Sequence, residues 1–302
     1  MNTQRVMLLV LVALVPGAGA AVAVYGTGYL INILLAAVFG LAMEAACLGL
    51  QRRDVVAALA DGSALVTCVL LALALPPGLP WPILAVAVAG AIILAKHLYG
   101  GLGNNLFNPA IVGYTVVLVS FPVAMADWPV PVDGLTSATA LVSLKYREGA
   151  TVAEAWTTAG GFGAVGGYGW EWINLGYLIG GLVLLALRLA AWRIPLTILA
   201  TLGALATFCY DSGSSASLGS PLFHWFTGAT MLTVFFFATD PVTHPATGKG
   251  QIIYGMLIGG MIFVVRGLGN YPDGAAFAIL LGNAVSPYLD KRTTAERVAP
   301  SA

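Results

Sequence analysis

The chain has 302 residues, 59% of them hydrophobic, and only 9% carry a charge. Soluble domains average about 25% charged residues, so the composition excludes a soluble globular protein and points to a polytopic membrane protein with little mass outside the bilayer. Lys+Arg and Asp+Glu balance at 13 each, which leaves no basic face for nucleic acid.

Apolar runs bounded by Gly, Pro or charge predict ten segments, near 6–24, 28–50, 62–76, 82–98, 108–126, 171–190, 194–210, 222–239, 251–266 and 273–289. A full span needs about 20 residues. The third, fourth and ninth are short, which suggests broken or re-entrant helices lining a cavity. For the first segment a cleaved signal peptide is the competing reading, because Arg5 and an apolar stretch precede Pro16-Gly17-Ala18-Gly19-Ala20. The repeat described below argues against it.

Positive charge predicts the orientation. With ten spans, one set of loops holds Arg5, Arg52, Arg53, Lys96, Arg188, Arg193, Lys249, Lys291, Arg292 and Arg297. The other set holds Lys145, Arg147 and Arg266. Ten against three puts both termini in the cytoplasm and the 127–170 connection outside. The expected organisation is therefore a membrane repeat over 1–126, an extracytoplasmic loop over 127–170, and a second repeat with a short cytoplasmic tail over 171–302.

Shifting the sequence by 166 residues pairs its two halves without gaps. Gly62 meets Gly228, Thr67 meets Thr233, and Ala72 meets Ala238. Gly101-Leu102-Gly103-Asn104 meets Gly267-Leu268-Gly269-Asn270, and Val119-Ser120 meets Val285-Ser286. Five spans per half is an odd number, so the second half enters from the opposite side. The fold class is an all-α integral membrane protein of two inverted five-helix repeats, an arrangement shared with urea transporters. Such folds place their sites where broken segments meet. An inner site would gather Asp61-Gly62-Ser63 with Gly100 to Asn105. An outer site would gather Thr227-Gly228-Ala229-Thr230 with Arg266 to Asn270. Glycines that merely let helices pack closely are the competing reading.

Acidic residues inside spans are costly and suggest function. Glu44, Asp240 and Asp273 are the ion-path candidates. Helix packing for Glu44, helix termination for Asp240 and a cap for Asp273 are the alternatives. Lys96-His97 reads as an interfacial anchor, and Trp156, Trp170, Trp172 and Trp225 as interface-belt residues. Cys47, Cys68 and Cys209 form no CxxC, and His97, His224 and His244 have no paired-ligand spacing, so no metal site is expected.

The outer segment reads Asp133-Gly134-Leu135-Thr136-Ser137-Ala138-Thr139-Ala140. It resembles the flavinylation motif of the RnfD/NqrB family, Asp-Gly-x-Ser/Thr-x-Ala-Thr. The chain resembles RnfD along nearly its whole length. Lys96 to Asn104, Phe107-Asn108-Pro109-Ala110, Thr227 to Leu232, Ala238 to Thr243 and Pro272-Asp273-Gly274 carry that resemblance. The resemblance implies FMN bound through a phosphoester to Thr139, attached by a separate flavin transferase, with Asp133, Gly134, Thr136 and Ala138 completing the motif. Thr230 is a rival attachment point, because Thr227-Gly228-Ala229-Thr230 also fits the short pattern. The resemblance further implies a second, non-covalent flavin, riboflavin, for which Gly101, Gly103, Asn104 and Asn105 of the inner site are candidates. Thr227, Gly228, Thr230, Gly269 and Asn270 are the outer cofactor contacts. Ser137 departs from the Gly of many relatives, and the N-terminus before Arg5 and the outer loop are shorter than theirs.

By resemblance the chain is the flavin-carrying membrane subunit of an ion-translocating ferredoxin:NAD oxidoreductase of the bacterial inner membrane, coupled to Na+ or H+. It has no dinucleotide fingerprint and no residue catalytic for NAD or ferredoxin, so those sites fall to partners. The expected partners are RnfA, RnfB, RnfC, RnfE and RnfG, with membrane lipid around them. An NqrB-like subunit of a Na+-pumping quinone reductase and a urea-channel-like transporter are the alternatives, since fold does not fix function.

Overall fold

The computed structural model describes residues 2–128, 139–158 and 161–298. Asp133, Gly134, Thr136, Ser137 and Ala138 of the flavinylation motif lie outside these residues. Among the described residues, regular structure is helical, apart from one isolated bridge, Phe162 to Gly167. This agrees with an all-α membrane protein. A peptide group in lipid finds no water, so it must be satisfied within its own helix.

The first half holds α1 (Thr3–Tyr25), α2 (Gly28–Leu50), α3 (Val55–Leu59), α4 (Ser63–Ala74), α5 (Trp81–Ala89), α6 (Pro109–Ser120) and α7 (Pro122–Ala126). A π-helical stretch, Gly90–His97, continues α5. Two short helices, α8 (Ala140–Lys145) and α9 (Val152–Thr158), follow. The remainder holds α10 (Trp170–Ala186), α11 (Arg193–Phe208), α12 (Pro221–Trp225), α13 (Thr230–Leu232), α14 (Gly248–Leu268) and α15 (Ala275–Val298). A second π-helical stretch, Thr233–Phe237, continues α13. Among the described residues, α1, α2 and α14 are long and apolar enough to cross a membrane unaided.

Helix starts recur along the chain. Thr3 and Trp170, Gly28 and Arg193, Val55 and Pro221, Ser63 and Thr230, Trp81 and Gly248, and Pro109 and Ala275 each lie within one residue of 166 positions apart. Gly62 and Gly228 share left-handed backbone, with φ +77° and +62°. Only glycine adopts that conformation freely, and each residue stands just before a broken helix.

The structure corrects two sequence expectations. The ninth segment is not short, since α14 runs continuously for 21 residues. The polar ends that Lys249 and Arg266 give it hide its length from a hydropathy count. The eighth segment, expected as one span, is broken into α12, α13 and a π turn around Gly228.

The chain divides into two compact units. One holds α1 to α7 and Leu175–Leu189; the other holds α8, α9, the chain up to Asn174, and everything from Ala190. In the first unit, glycines let helices approach closely. A methyl on Gly113 would meet the Ala87 carbonyl oxygen at 2.3 Å, and one on Gly176 would meet Gly17 backbone at 2.7 Å. In the second unit, Ala140, Leu141, Leu144, Val152 and Phe223 form a small core with Trp156 and Phe162. The described part of 127–170 is thus packed structure rather than free loop. A reciprocal capping box starts α9, in which the Glu154 carboxylate accepts from Thr151 N at 2.7 Å and Glu154 N donates to Thr151 Oγ1 at 3.2 Å.

Gly113→Ala should destabilise the solubilised protein by about 1–3 kcal/mol, the usual cost of overpacking. Gly19→Ala, where nothing lies within 4 Å, should leave thermal unfolding unchanged. Equal melting temperatures for the two variants would contradict the close approach of α5 and α6.

Candidate functional site

Three places concentrate polar groups in an otherwise apolar chain. The first lies in the first unit, where Glu44 of α2 is 3% exposed. Lys96 Nζ donates to its Oε1 at 2.7 Å, and His97 Nε2 lies 2.9 Å from its Oε2. Lys96 Nζ also donates to Ser63 Oγ at 2.9 Å, and Gln51 Nε2 lies 3.2 Å from His97 Nδ1. Lys96 and His97 are themselves buried, at 3% and 7% exposure. They are therefore not an interfacial anchor. An isolated charge there would be prohibitively costly, so each needs the other.

The rest of the expected inner site is looser. Asp61 Oδ1 accepts from Ser63 N at 2.6 Å and fixes the start of α4. Gly100, Gly101 and Gly103 have φ of +101°, +97° and +87°, which gives the loop its turns. Arg53 Nη1 approaches the Gly100 carbonyl at 3.5 Å. Asn104 is exposed, whereas Asn105 is buried and donates to the Phe107 carbonyl at 3.1 Å. The link from the 61–63 turn to the end of the π helix is Lys96, through Ser63.

The second place lies in the second unit, around the buried Arg266. Its Nη2 donates to Thr230 Oγ1 at 2.9 Å, and its Nη1 donates to the His224 carbonyl at 2.9 Å. Asp273 Oδ1 lies 3.0 Å from Nη2 and 3.1 Å from Nε. Asn174 bridges the same region, donating to the Gly228 carbonyl at 2.8 Å and accepting from Met231 N at 2.9 Å. Thr227, Gly228, Thr230 and Asp273 are thus brought together by one guanidinium. Gly269 instead closes the end of α14, and the Asn270 carbonyl accepts from Tyr146 Oη at 3.4 Å. Asp273 also accepts from Ala275 N at 3.2 Å, a capping contact. Asp240 stands apart and accepts from Val242 N at 3.2 Å in the turn after the π stretch.

Thr230 is wholly buried, and its hydroxyl is committed to Arg266 and to the Thr227 and His224 carbonyls. Among the described residues, His224 Nδ1 and Thr227 Oγ1 are buried without a partner. His224 also lines a cavity of about 50 Å³ with Lys145, Arg147, Phe223 and Arg266. Burial and carbonyl bonding leave little freedom to Arg147, which donates to Leu144, Ala150, Ser215 and Ser217 carbonyls.

The third place is Thr139. It is half-buried, has extended backbone, and precedes α8 without a capping bond from its side chain. One turn further on, Val142 and Ser143 line an open cavity of about 360 Å³ with Tyr146, Arg147, Glu148, Ala150, Ala155 and Thr158. That volume lies within the range of small-molecule sites. The Trp156 and Phe162 rings stack at 4.3 Å, and Trp156 Nε1 donates to the Gly163 carbonyl at 2.8 Å. These contacts make a firm footing for α8 and α9. Trp172 is 66% exposed, but Trp170 is buried at 6% and so is not a belt residue.

The sequence places Ser63 and Arg266 in the inner and outer sites, but it does not identify Lys96, His97 and Arg266 as the connecting groups. Apart from Asp273, seven positions from Arg266, the partners lie 33 to 53 positions away in the chain. The lone charge in each apolar run was the available signal.

Arg266→Met should cost about 1–3 kcal/mol, because it leaves the buried His224 and Thr227 carbonyls unpaired. The double variant Arg266→Met/Asp273→Asn should recover part of that loss in denaturant unfolding. A single variant as stable as the parent would show that Arg266 does not hold the region together.

The model of the NQR2, RnfD, RnfE family matches residues 1–299. The chain is 46% identical to a protein of Aeromonas salmonicida (strain A449), over 97% of this chain and 93% of that one. It is 46% identical to a protein of Ectopseudomonas mendocina (strain ymp), over 97% and 90%. It is 43% identical to a protein of Cellvibrio japonicus (strain Ueda107), over the same shares. All three relatives are named as the same subunit of an ion-translocating oxidoreductase complex. Family match and near full-length identity together make this chain a membrane protein belonging to the NQR2, RnfD, RnfE family.

Proposed function

We propose that the chain is the flavin-carrying membrane subunit of an ion-translocating ferredoxin:NAD oxidoreductase. The relatives' shared name supports the complex, and Thr139 carries the flavin part of the reading. Its side chain makes no capping bond, it directly follows the motif segment, and an open cavity starts one turn away. Thr230 offers a transferase no comparable access, since it is buried and hydrogen-bonded. FMN joined to Thr139 through a phosphoester keeps its ring intact and supplies one-electron chemistry.

This chain's own residues then position and insulate. Tyr146, Ser143 and Thr158 offer hydrogen-bonding groups to a ring held in the open cavity, and α8 and α9 fix the attachment point. A second flavin, riboflavin, is assigned to the inner loop with Gly101, Gly103, Asn104 and Asn105. The positive-φ glycines allow backbone amides to approach a planar ring closely. Thr227, Gly228, Thr230, Gly269 and Asn270 form the outer lining, where the unpartnered Thr227 Oγ1 and His224 Nδ1 suit a polar ligand or water.

The two halves are inverted repeats, a reading supported by the recurrence of helix starts at one offset. Both termini lie in the cytoplasm of a bacterial inner-membrane protein, and the 127–170 segment is periplasmic. Glu44, with Asp240 and Asp273 as further candidates, lies on the path of Na+ or H+. RnfA, RnfB, RnfC, RnfE and RnfG are the partners, and a flavin transferase loads the chain.

Denaturing gels of the purified complex should show a fluorescent flavin band at this subunit. Thr139→Ala should abolish the band, whereas Thr230→Ala should keep it. A band that survives Thr139→Ala would overturn the assignment. Asn104→Leu should lower the extractable, non-covalent flavin content severalfold while the fluorescent band persists. Unchanged extractable flavin would remove the inner loop from consideration.

A further inference from the structure

Lys96 and His97 are adjacent in sequence, yet both reach the carboxylate of Glu44. On an α-helix, adjacent side chains point about 100° apart and do not share a face. Both stand at the end of the π-helical stretch Gly90–His97, and each reaches a different oxygen of the one carboxylate. Leu98 N donates to the Ile93 carbonyl and Gly101 N to the Lys96 carbonyl, each five residues back. Such turns are rare and occur mostly at functional sites.

The result is an ordered set of partners. Glu44 Oε1 and Ser63 Oγ both accept from the Lys96 ammonium, at 2.7 and 2.9 Å. His97 lies against the other carboxylate oxygen. Gln51 is exposed at the end of α2, and its amide, donating to His97 Nδ1, leaves Nε2–H to donate to Glu44. The Lys96 ammonium and the Glu44 carboxylate form a buried ion pair, one cation against one anion. The ammonium therefore occupies a position between two oxygens, one of them anionic, and such donors suit hard cations.

We infer that Lys96 is the resident cation of an exchange site, and that a monovalent alkali cation binds between Glu44 and Ser63 by displacing its ammonium. The inference rests on the reading of Glu44 as an ion-path residue. The swap conserves charge, since one monocation replaces another. The lysine stem is flexible enough to swing its head group away. A bare carboxylate in this buried position is too costly to persist, so the ammonium leaves only when a replacement arrives. Occupancy by an external cation is thereby tied to the position of the Lys96 head group.

Equilibrium binding of radioactive sodium to the purified complex tests this. Glu44→Gln should abolish the site. Lys96→Met should tighten half-saturation by about tenfold or more, because the competitor and its positive charge are both gone, whereas Lys96→Arg should not tighten it. If Glu44→Gln leaves sodium binding intact, the ion-path reading itself fails. If Glu44→Gln abolishes binding but Lys96→Met leaves half-saturation unchanged, the exchange inference fails and the ion-path reading stands. Should Lys96→Met not assemble, sodium-induced infrared difference spectra of the unmodified complex decide. Carboxylate bands that appear with sodium support the exchange, and a featureless spectrum overturns it.

Discussion

A peptide group or a charge inside a bilayer has no water to turn to, and that constraint governs this chain. It explains why regular structure here is helical and why so few residues are charged. It also explains where the polar groups are found. Wherever a helix breaks within an apolar unit, side chains must take over the work of the missing backbone bonds. Glu44, Lys96, His97 and Ser63 gather where α4 begins and the π stretch ends. Arg266, Thr230 and Asp273 gather around the break at Gly228. Each group contains a cation and an anion, as burial demands.

The same economy separates tasks within the chain. Buried charges are compensated by opposite charges, which suits ion handling and structural closure. The α8–α9 region has a different character. It rests on a core of Leu141, Leu144, Val152 and Phe223, yet it leaves Thr139 and a cavity of about 360 Å³ open beside it. An attachment point on a firm base suits a tethered redox group, because position controls what it can reach.

Much of the fold was legible in the sequence. Apolar runs located the longer helices, because hydropathy responds directly to burial in lipid, whereas the short helices α3, α8 and α9 fall outside them. Boundaries were less legible. Polar ends concealed the length of α14, and the break at Gly228 was marked by the repeat and by Thr227 to Thr230 but not by hydropathy. The capping box Thr151–Glu154 starts a helix, α9, that is too short for periodicity to reveal. The partners of Glu44 were illegible for a different reason. Lys96 and His97 look like a helix end in sequence, whereas in the fold both are buried at the end of a π-helical stretch. Thr139 was found through motif resemblance; its half-buried setting and the neighbouring cavity emerge from the fold alone.

The account stands or falls on the chemistry of one hydroxyl. The decisive measurement is the mass of the proteolytic peptide containing Thr139, taken from the complex purified from its own cells. The account predicts a peptide heavier by one FMN less one water, with fragmentation placing the addition on Thr139. An unmodified peptide, or an addition placed on Thr230, would contradict it.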